Sequence, residues 1–149
     1  MRIMNRIEVS APAEVLWEVL ADPTQWPRWT SSITSLELLD GVTELDLGHR
    51  VRIVQPGLRS SVWTVVEHHP GSAFTWESEE GGVRTTATHA IVRHHVPSHS
   101  HLVLELQQHG LLAPVVGLVA GARIRRYVEM EGVGLGAEAE RRLHKSPAA

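Results

Sequence analysis

The 149 residues include no cysteine, which excludes a disulfide framework, a thiolate nucleophile and a thiolate metal site. Long apolar runs are also missing. No stretch approaches the roughly 18 residues of a membrane-spanning helix. The opening MRIMNRIEVSAPAEV lacks the run of about 7–15 apolar residues that forms a signal-peptide core. Neither charge sign dominates: 14 Lys and Arg face 17 Asp and Glu, for a net charge of -3 and a pI of about 6.3. Nucleic-acid binding through bulk charge is thereby disfavoured. No P-loop, H-E-x-x-H or G-x-S-x-G occurs. GVGLGA (132–137) matches G-x-G-x-x-A on paper, but it follows a helical pattern where a dinucleotide site needs a strand. The sequence therefore calls for no cofactor and no metal. It leads to the expectation of a cytoplasmic protein with neither nucleic acid nor membrane insertion among its interactions, and it leaves the oligomeric state open.

The aromatic content is low and skewed: one Phe and one Tyr stand beside five Trp. A chain this long suits one domain, expected over residues 1–149, and buries enough surface to fold without staples. RIMNRIEV reads as a strand near 2–9. In SAPAEVLWEVLAD, Pro12 fits a first helical turn and Glu14 suits the positive end of the helix dipole. Val15, Leu16, Val19 and Leu20 share one face, and the helix should end near Ala21. A second short helix follows in DPTQWPRWTSSI (22–33), with Asp22 as cap, Pro23 in the first position and Gln25 reaching back as in a capping box. Trp26 and Trp29, three apart, share a face of it.

From Ile33 to about His109 the pattern is strands, near 33–40, 49–56, 59–68, 72–79, 83–94 and 101–109. The breaks DGVTELDLG, PGL, HHPGS, EEGG and HVPSHS each carry Gly or Pro and are short enough for an antiparallel meander. A long helix spans about 112–143, and KSPAA reads as a frayed tail. Gly117, Gly121, Gly132, Gly134 and Gly136 each cost helix stability, of order 1 kcal/mol. The helix is therefore held by packing or kinked near 132–136. The expected architecture is α+β: seven antiparallel strands in a curved sheet, two short helices after the first strand, and the long C-terminal helix across the concave face.

Several separated stretches carry a family likeness: VSAPAEVLWEVLAD (9–22), GHRVRIVQPGL (48–58), WTVVEHHPGSAFTWES (63–78) and THAIVRH (88–94), followed by a Glu-bearing C-terminal helix. Together, over about residues 3–143, they resemble the polyketide cyclase/dehydrase-like branch of the START-like (SRPBCC) superfamily, with its helix-grip fold. The resemblance implies a hydrophobic cavity between sheet and long helix, with the short second helix at its mouth. Trp26 and Trp29 would then line or roof the entrance. Read from the residues alone, the same two side chains could equally pack the helix–helix corner.

Strand alternation sorts the cavity candidates. Val51, Ile53 and Gln55 share a face, leaving Arg50 and Arg52 outside. Trp63 goes with Val65, Phe74 with Trp76, and His89 with Thr85, Ala87 and Ile91. On the last strand Leu102, Leu104 and Leu106 are the inward set. Val116, Ala120, Arg123 and Tyr127 complete the ligand-facing set on the long helix. Arg123 or Tyr127 could bind an anionic or phenolic group, while Arg123 could also be solvated beside Arg125 and Arg126. Gly117 and Gly121, four apart, open a stripe that gives either room for a ligand or close contact with the sheet. His89 is the candidate acid/base, since imidazole titrates near ~6.5; the alternative is a satisfied buried histidine. Of the ten histidines, His68, His69, His94, His95, His99 and His101 flank hairpins expected at one end of the sheet. There they are either solvated tips or a cluster able to bind Zn²⁺ or Ni²⁺. The leading functional reading is a protein that encloses a hydrophobic or aromatic small molecule, with cyclisation or dehydration of a polyketide-like intermediate as its chemistry. The alternatives are a non-catalytic carrier or sensor, and a protein-interaction module.

Overall fold

In the computed structural model, which describes residues 1–145, the chain runs through eleven elements. They are β1 (Arg2–Val9), α1 (Ala13–Leu20), a 3₁₀ turn (Pro23–Gln25), α2 (Trp26–Trp29), β2 (Ser35–Leu38), β3 (Arg50–Val54), β4 (Ser61–His69), β5 (Ala73–Glu80), β6 (Val83–Arg93), β7 (Ser100–His109) and α3 (Ala113–Lys145). The tail read as frayed at 145–149 lies, beyond Lys145, outside the described residues. The seven strands form one antiparallel sheet in the order β1-β7-β6-β5-β4-β3-β2. Strands β2 to β7 make a meander, and β1 returns to pair with the last of them. This is the expected α+β architecture.

Turn chemistry sets the register that the site depends on. Gly81 and Gly82 both have positive φ, 56° and 78°, between the paired Glu80 and Val83. A two-residue hairpin loop of this kind demands left-handed backbone at both positions, which glycine adopts without strain. The β5–β6 register that follows puts Phe74 opposite His89 and Trp76 opposite Ala87. On β4 an extra residue, Val66, interrupts the ladder between Val65 and Glu67. Such a bulge shifts the side-chain alternation by one residue. Trp63 and Val65 face the core, and beyond the bulge His68 turns back toward Trp17 of α1, ring centroids 6.1 Å apart.

The core lies between the sheet and the helices. Ile3, Leu16, Val19, Leu20, Val51, Val65, Phe74, Leu102 and Leu135 are its buried members from seven elements. Helix α1 begins one residue after Pro12, whose carbonyl accepts from the amides of Val15 and Leu16. The second helix differs from its expected form. Asp22 makes no capping bond to the backbone; instead it accepts from the Thr24 hydroxyl at 2.8 Å, and the segment splits into a 3₁₀ turn and a single helical turn. Pro27 explains the break, because it supplies no amide to continue the ladder.

Helix α3 is unbroken over its 33 residues, so packing and not a kink answers its glycines. A Cβ at Gly132 would lie 2.3 Å from Ile7 Cδ1, and one at Gly134 2.2 Å from the Trp29 carbonyl oxygen. These positions are bare because the helix presses on β1 and α2 there. Gly117 and Gly121 face Met1, whose Sδ would stand 3.7 and 3.2 Å from an added Cβ. The stripe read as possible ligand space is thus covered by the first residue of the chain.

Candidate functional site

Four side chains of α3 recur at helical spacing, Ile124, Tyr127, Val128 and Glu131, and turn one face toward the sheet. Across from them stand Ile53 and Gln55 of β3 and the adjoining loop, Trp63 of β4, Trp76 of β5, His89 of β6, and Leu104 and Leu106 of β7. Between the two layers is a cavity of about 60 Å³. That is smaller than the roughly 150 Å³ that holds a benzene molecule. Beside it, under the first half of α3, lies a more open recess of about 360 Å³ lined by Ser61, Thr85, Leu112, Val115 and Val116 among others. Gln55, Leu58, Trp63, Leu106 and Ile124 border both spaces, so five side chains form the partition between them.

One side of the inner cavity is polar. His89 is 3% exposed, and its Nε2 donates to Glu131 Oε1 at 3.0 Å. With Glu131 as a carboxylate, which only accepts, Nε2 carries the proton of this bond, and Nδ1 is the ring's remaining polar atom. That atom is buried and has no hydrogen-bond partner. The ring is fixed by its neighbours: it stacks on Phe74 at 4.4 Å between centroids and 12° between planes, and meets Trp76 edge-on at 5.1 Å. A third ring, Trp26, stands 5.3 Å away. Glu105 also borders the cavity; the Gln107 amide, and after it Arg2, hold its carboxyl below the usual carboxylate range.

Helix α3 is clasped to the β3–β4 hairpin at the cavity's flank. Tyr127 Oη donates to the Pro56 carbonyl at 2.6 Å, and Arg123 Nη1 donates to the Gly57 carbonyl at 3.0 Å. Gly57 has a φ of 71°, and a Cβ there would collide with the Arg123 guanidinium. Gln55 Nε2 donates to the Ser32 carbonyl at 3.2 Å and ties the hairpin to the loop before β2.

Of the side chains singled out from sequence, Ile53, Gln55, Trp63, Trp76, His89 and Tyr127 border the inner cavity, and Val116 borders the recess. Phe74 is wholly buried behind His89. Ala120 and Arg123 border neither space; the Arg123 head group is spent on the hairpin. Neither tryptophan borders the inner cavity or the recess. Trp26 is 0% exposed, donates from Nε1 to the Val19 carbonyl at 3.1 Å, and plugs the corner between α1 and the sheet. Trp29 packs on the far half of α3, under the Arg141 and Arg142 guanidinium groups at 5.2 and 6.0 Å. Trp26 thus sits at the helix corner, while Trp29 packs on α3 and borders a shallow surface pocket with Arg126 and Met130.

The hairpin histidines do not converge into a metal centre. His68 faces Trp17 and Asp46, while His94 stacks with His95 and His101 at 4.1 and 5.1 Å. Among the described residues no group of three or more His, Asp or Glu is placed to hold a metal ion. No described helix is long and apolar enough to cross a membrane. Sequence reasoning missed Glu131, although a signal was present: Ile124, Tyr127, Val128 and Glu131 are spaced i, i+3, i+4, i+7, and alternation had already turned His89 inward.

Comparison with known proteins places this geometry. The model of the family described as polyketide cyclase / dehydrase and lipid transport matches residues 2–140. No curated relative matches the chain in sequence. Among solved structures, an aromatase/cyclase of Streptomyces sp. R1128, Zhui, is similar at 21% identity and a TM-score of 0.72, over 100% of this chain and 99% of that one. A START superfamily protein of Mycobacterium smegmatis is similar at 17% identity and 0.67, over 97% of each chain. A hypothetical protein of Helicobacter pylori reaches 0.78 at 13% identity, over 93% of this chain and 88% of its own. At these identities the likeness carries the fold, which is the helix-grip fold of the START superfamily.

Proposed function

We propose that this chain, which belongs to the polyketide cyclase / dehydrase and lipid transport family, takes up a hydrophobic, ring-bearing small molecule between its sheet and α3. The molecule is oriented by a hydroxyl or carbonyl group against His89 and Glu131. One observation carries this reading: a mainly apolar cavity is lined on one side by a largely buried imidazole–carboxylate pair. Burying such a pair costs free energy that an apolar core position would not. The adjoining recess, about 360 Å³, falls in the range of small-molecule sites.

The pair also suits proton transfer. Glu131 orients the imidazole through Nε2 and leaves Nδ1, which has no partner, as the nitrogen able to exchange a proton with a ligand. Cyclisation or dehydration of a polyketide-like ligand begins with loss of a proton from carbon beside a carbonyl. His89 is the group to take it, with positioning by the apolar walls supplying much of the rest. A second reading, carriage without chemistry, is favoured by size: the inner cavity is too small for a ring, so a ligand resting mainly in the recess would stay clear of His89.

Native mass spectrometry of the protein isolated from its own host tests the proposal. A retained apolar mass, released on denaturation and depleted in Glu131→Gln, is the expected result. Protein that carries no ligand and takes up no apolar phenol when offered one would overturn it. A product pattern from a supplied intermediate that changes in His89→Ala assigns catalysis, and unchanged products with retained binding assign carriage.

A further inference from the structure

The first half of α3 turns a bare apolar face outward. Leu111, Leu118 and Val119 are 96%, 88% and 81% exposed, and Leu112 and Val115 are half exposed beside them. One or two such side chains on a surface are ordinary; five within nine residues of one segment form a patch. The inner edge of the same patch, Leu112, Val115 and Val116, is a wall of the open recess. The exposed surface and the interior space are therefore continuous.

Cations gather around this end of the molecule. Arg125 and Arg126 follow the apolar face on α3, and Arg59 stands on the rim of the recess. Arg2, Arg50, Arg52, Arg84, Arg93, Arg141 and Arg142 are each paired with a carboxylate. Arg59, Arg125 and Arg126 have no such partner among the described residues, Arg6 of β1 and Arg28 of α2 being the others without one, and Arg123 bonds only to a carbonyl. Against these four cations stand Glu80 on the recess rim and Glu129 a turn further along α3. A local excess of positive charge in a chain of net charge -3, set at the edge of an apolar helix face, complements an anionic lipid surface. Leucine and valine enter the acyl boundary while the arginine heads remain at the phosphates.

We propose that the turn at Leu111 and Leu112 and the outward face of α3 as far as Arg126 dock the protein on an anionic lipid bilayer with the recess opening toward the lipid. The helix lies on the surface and does not span it. A second copy of the chain is a poorer occupant, because two such faces brought together would oppose their unpaired arginines. The docking stands independently of what the inner cavity binds.

Co-sedimentation with vesicles tests it, using ligand-free protein, neutral phosphatidylcholine vesicles and vesicles half phosphatidylglycerol. The expected result is partitioning onto the anionic vesicles only, weakened by salt. Arg125→Gln with Arg126→Gln should lower the partition coefficient roughly thirtyfold, the equivalent of about 2 kcal/mol at about 1 kcal/mol for each cation near an anionic surface. Leu118→Asp with Val119→Asp should abolish it, and since both side chains are exposed, the melting temperature should hold. Absence of binding to anionic vesicles overturns the proposal, as does equal binding to neutral ones. So does a concentration-dependent dimer in sedimentation that Leu118→Asp dissolves while vesicles bind nothing.

Discussion

His89 of β6 and Glu131 of α3, 42 residues apart in sequence, meet at 3.0 Å across the floor of the cavity. Their side chains are 4% and 15% exposed, and the contact joins the sheet to the helix that covers it. Taking either partner alone leaves the other buried without its bond, which costs about 1–3 kcal/mol, whereas replacing both by apolar groups of similar shape is nearly neutral. Glu131→Leu should therefore lower stability by about that amount in urea titration, and His89→Phe with Glu131→Leu should recover most of it. A double variant as unstable as the sum of its parts would show that the two side chains act separately.

The α3 glycines divide by what they touch. Gly134→Ala drives a methyl group into the Trp29 carbonyl, which is backbone and cannot swing aside. We expect a loss of about 1–3 kcal/mol from overpacking. Gly117→Ala meets Met1 at an ordinary 3.7 Å, so it should gain up to about 1 kcal/mol of helix propensity. Paired thermal melts read both, and a stabilising Gly134→Ala would contradict the close approach of α2 and α3.

Acid should weaken the fold in two stages. Desolvation first, then the neighbouring His95, His101 and His99, push the His94 pKa below its ordinary value, against the opposing pull of Glu8. Its Nδ1 also accepts from the Val96 amide at 2.9 Å, a bond that protonation destroys. For a base whose native pKa is depressed, the unfolded chain binds the proton first. The stability is whole above about pH 6.5 and falls as the pH drops through that region. Asp40 beside Arg50, and Glu105 beside Gln107 and Arg2, have carboxyls held below their ordinary values, so their contribution is lost only at lower pH. Melting temperatures from pH 8 to 3 should show both stages, and His94→Asn should flatten the upper one. An unaltered profile in that variant would remove His94 as its cause.

Much of this was legible in the chain. Alternation assigned the inward faces of β3 to β7, because a sheet with one covered face makes every second side chain apolar. The glycine-bearing breaks placed the hairpins. Trp26 and Trp29 stayed undecided because a shared helical face does not say which neighbour that face meets; the structure puts Trp26 in the core and Trp29 against α3. The place of His68 against Trp17 was not legible, because a one-residue bulge at Val66 is invisible to period-two reasoning. Glu131 went unread because a carboxylate on a charged helix looks solvated until a buried partner is found for it. Between ligand room and close contact at Gly117 and Gly121 the sequence could not choose, because the side chain that covers the stripe, Met1, comes from the far end of the sequence.

The most direct test of the central claim is calorimetric titration of a neutral ring-bearing phenol, 1-naphthol, into the native protein and into Ile124→Trp. Ile124 borders both the inner cavity and the recess, so an indole there fills the partition where a ligand must pass. The account predicts saturable one-site binding to the native protein and its loss in the variant, with the fold intact by circular dichroism. No binding to the native protein, or equal affinity in both, would contradict it.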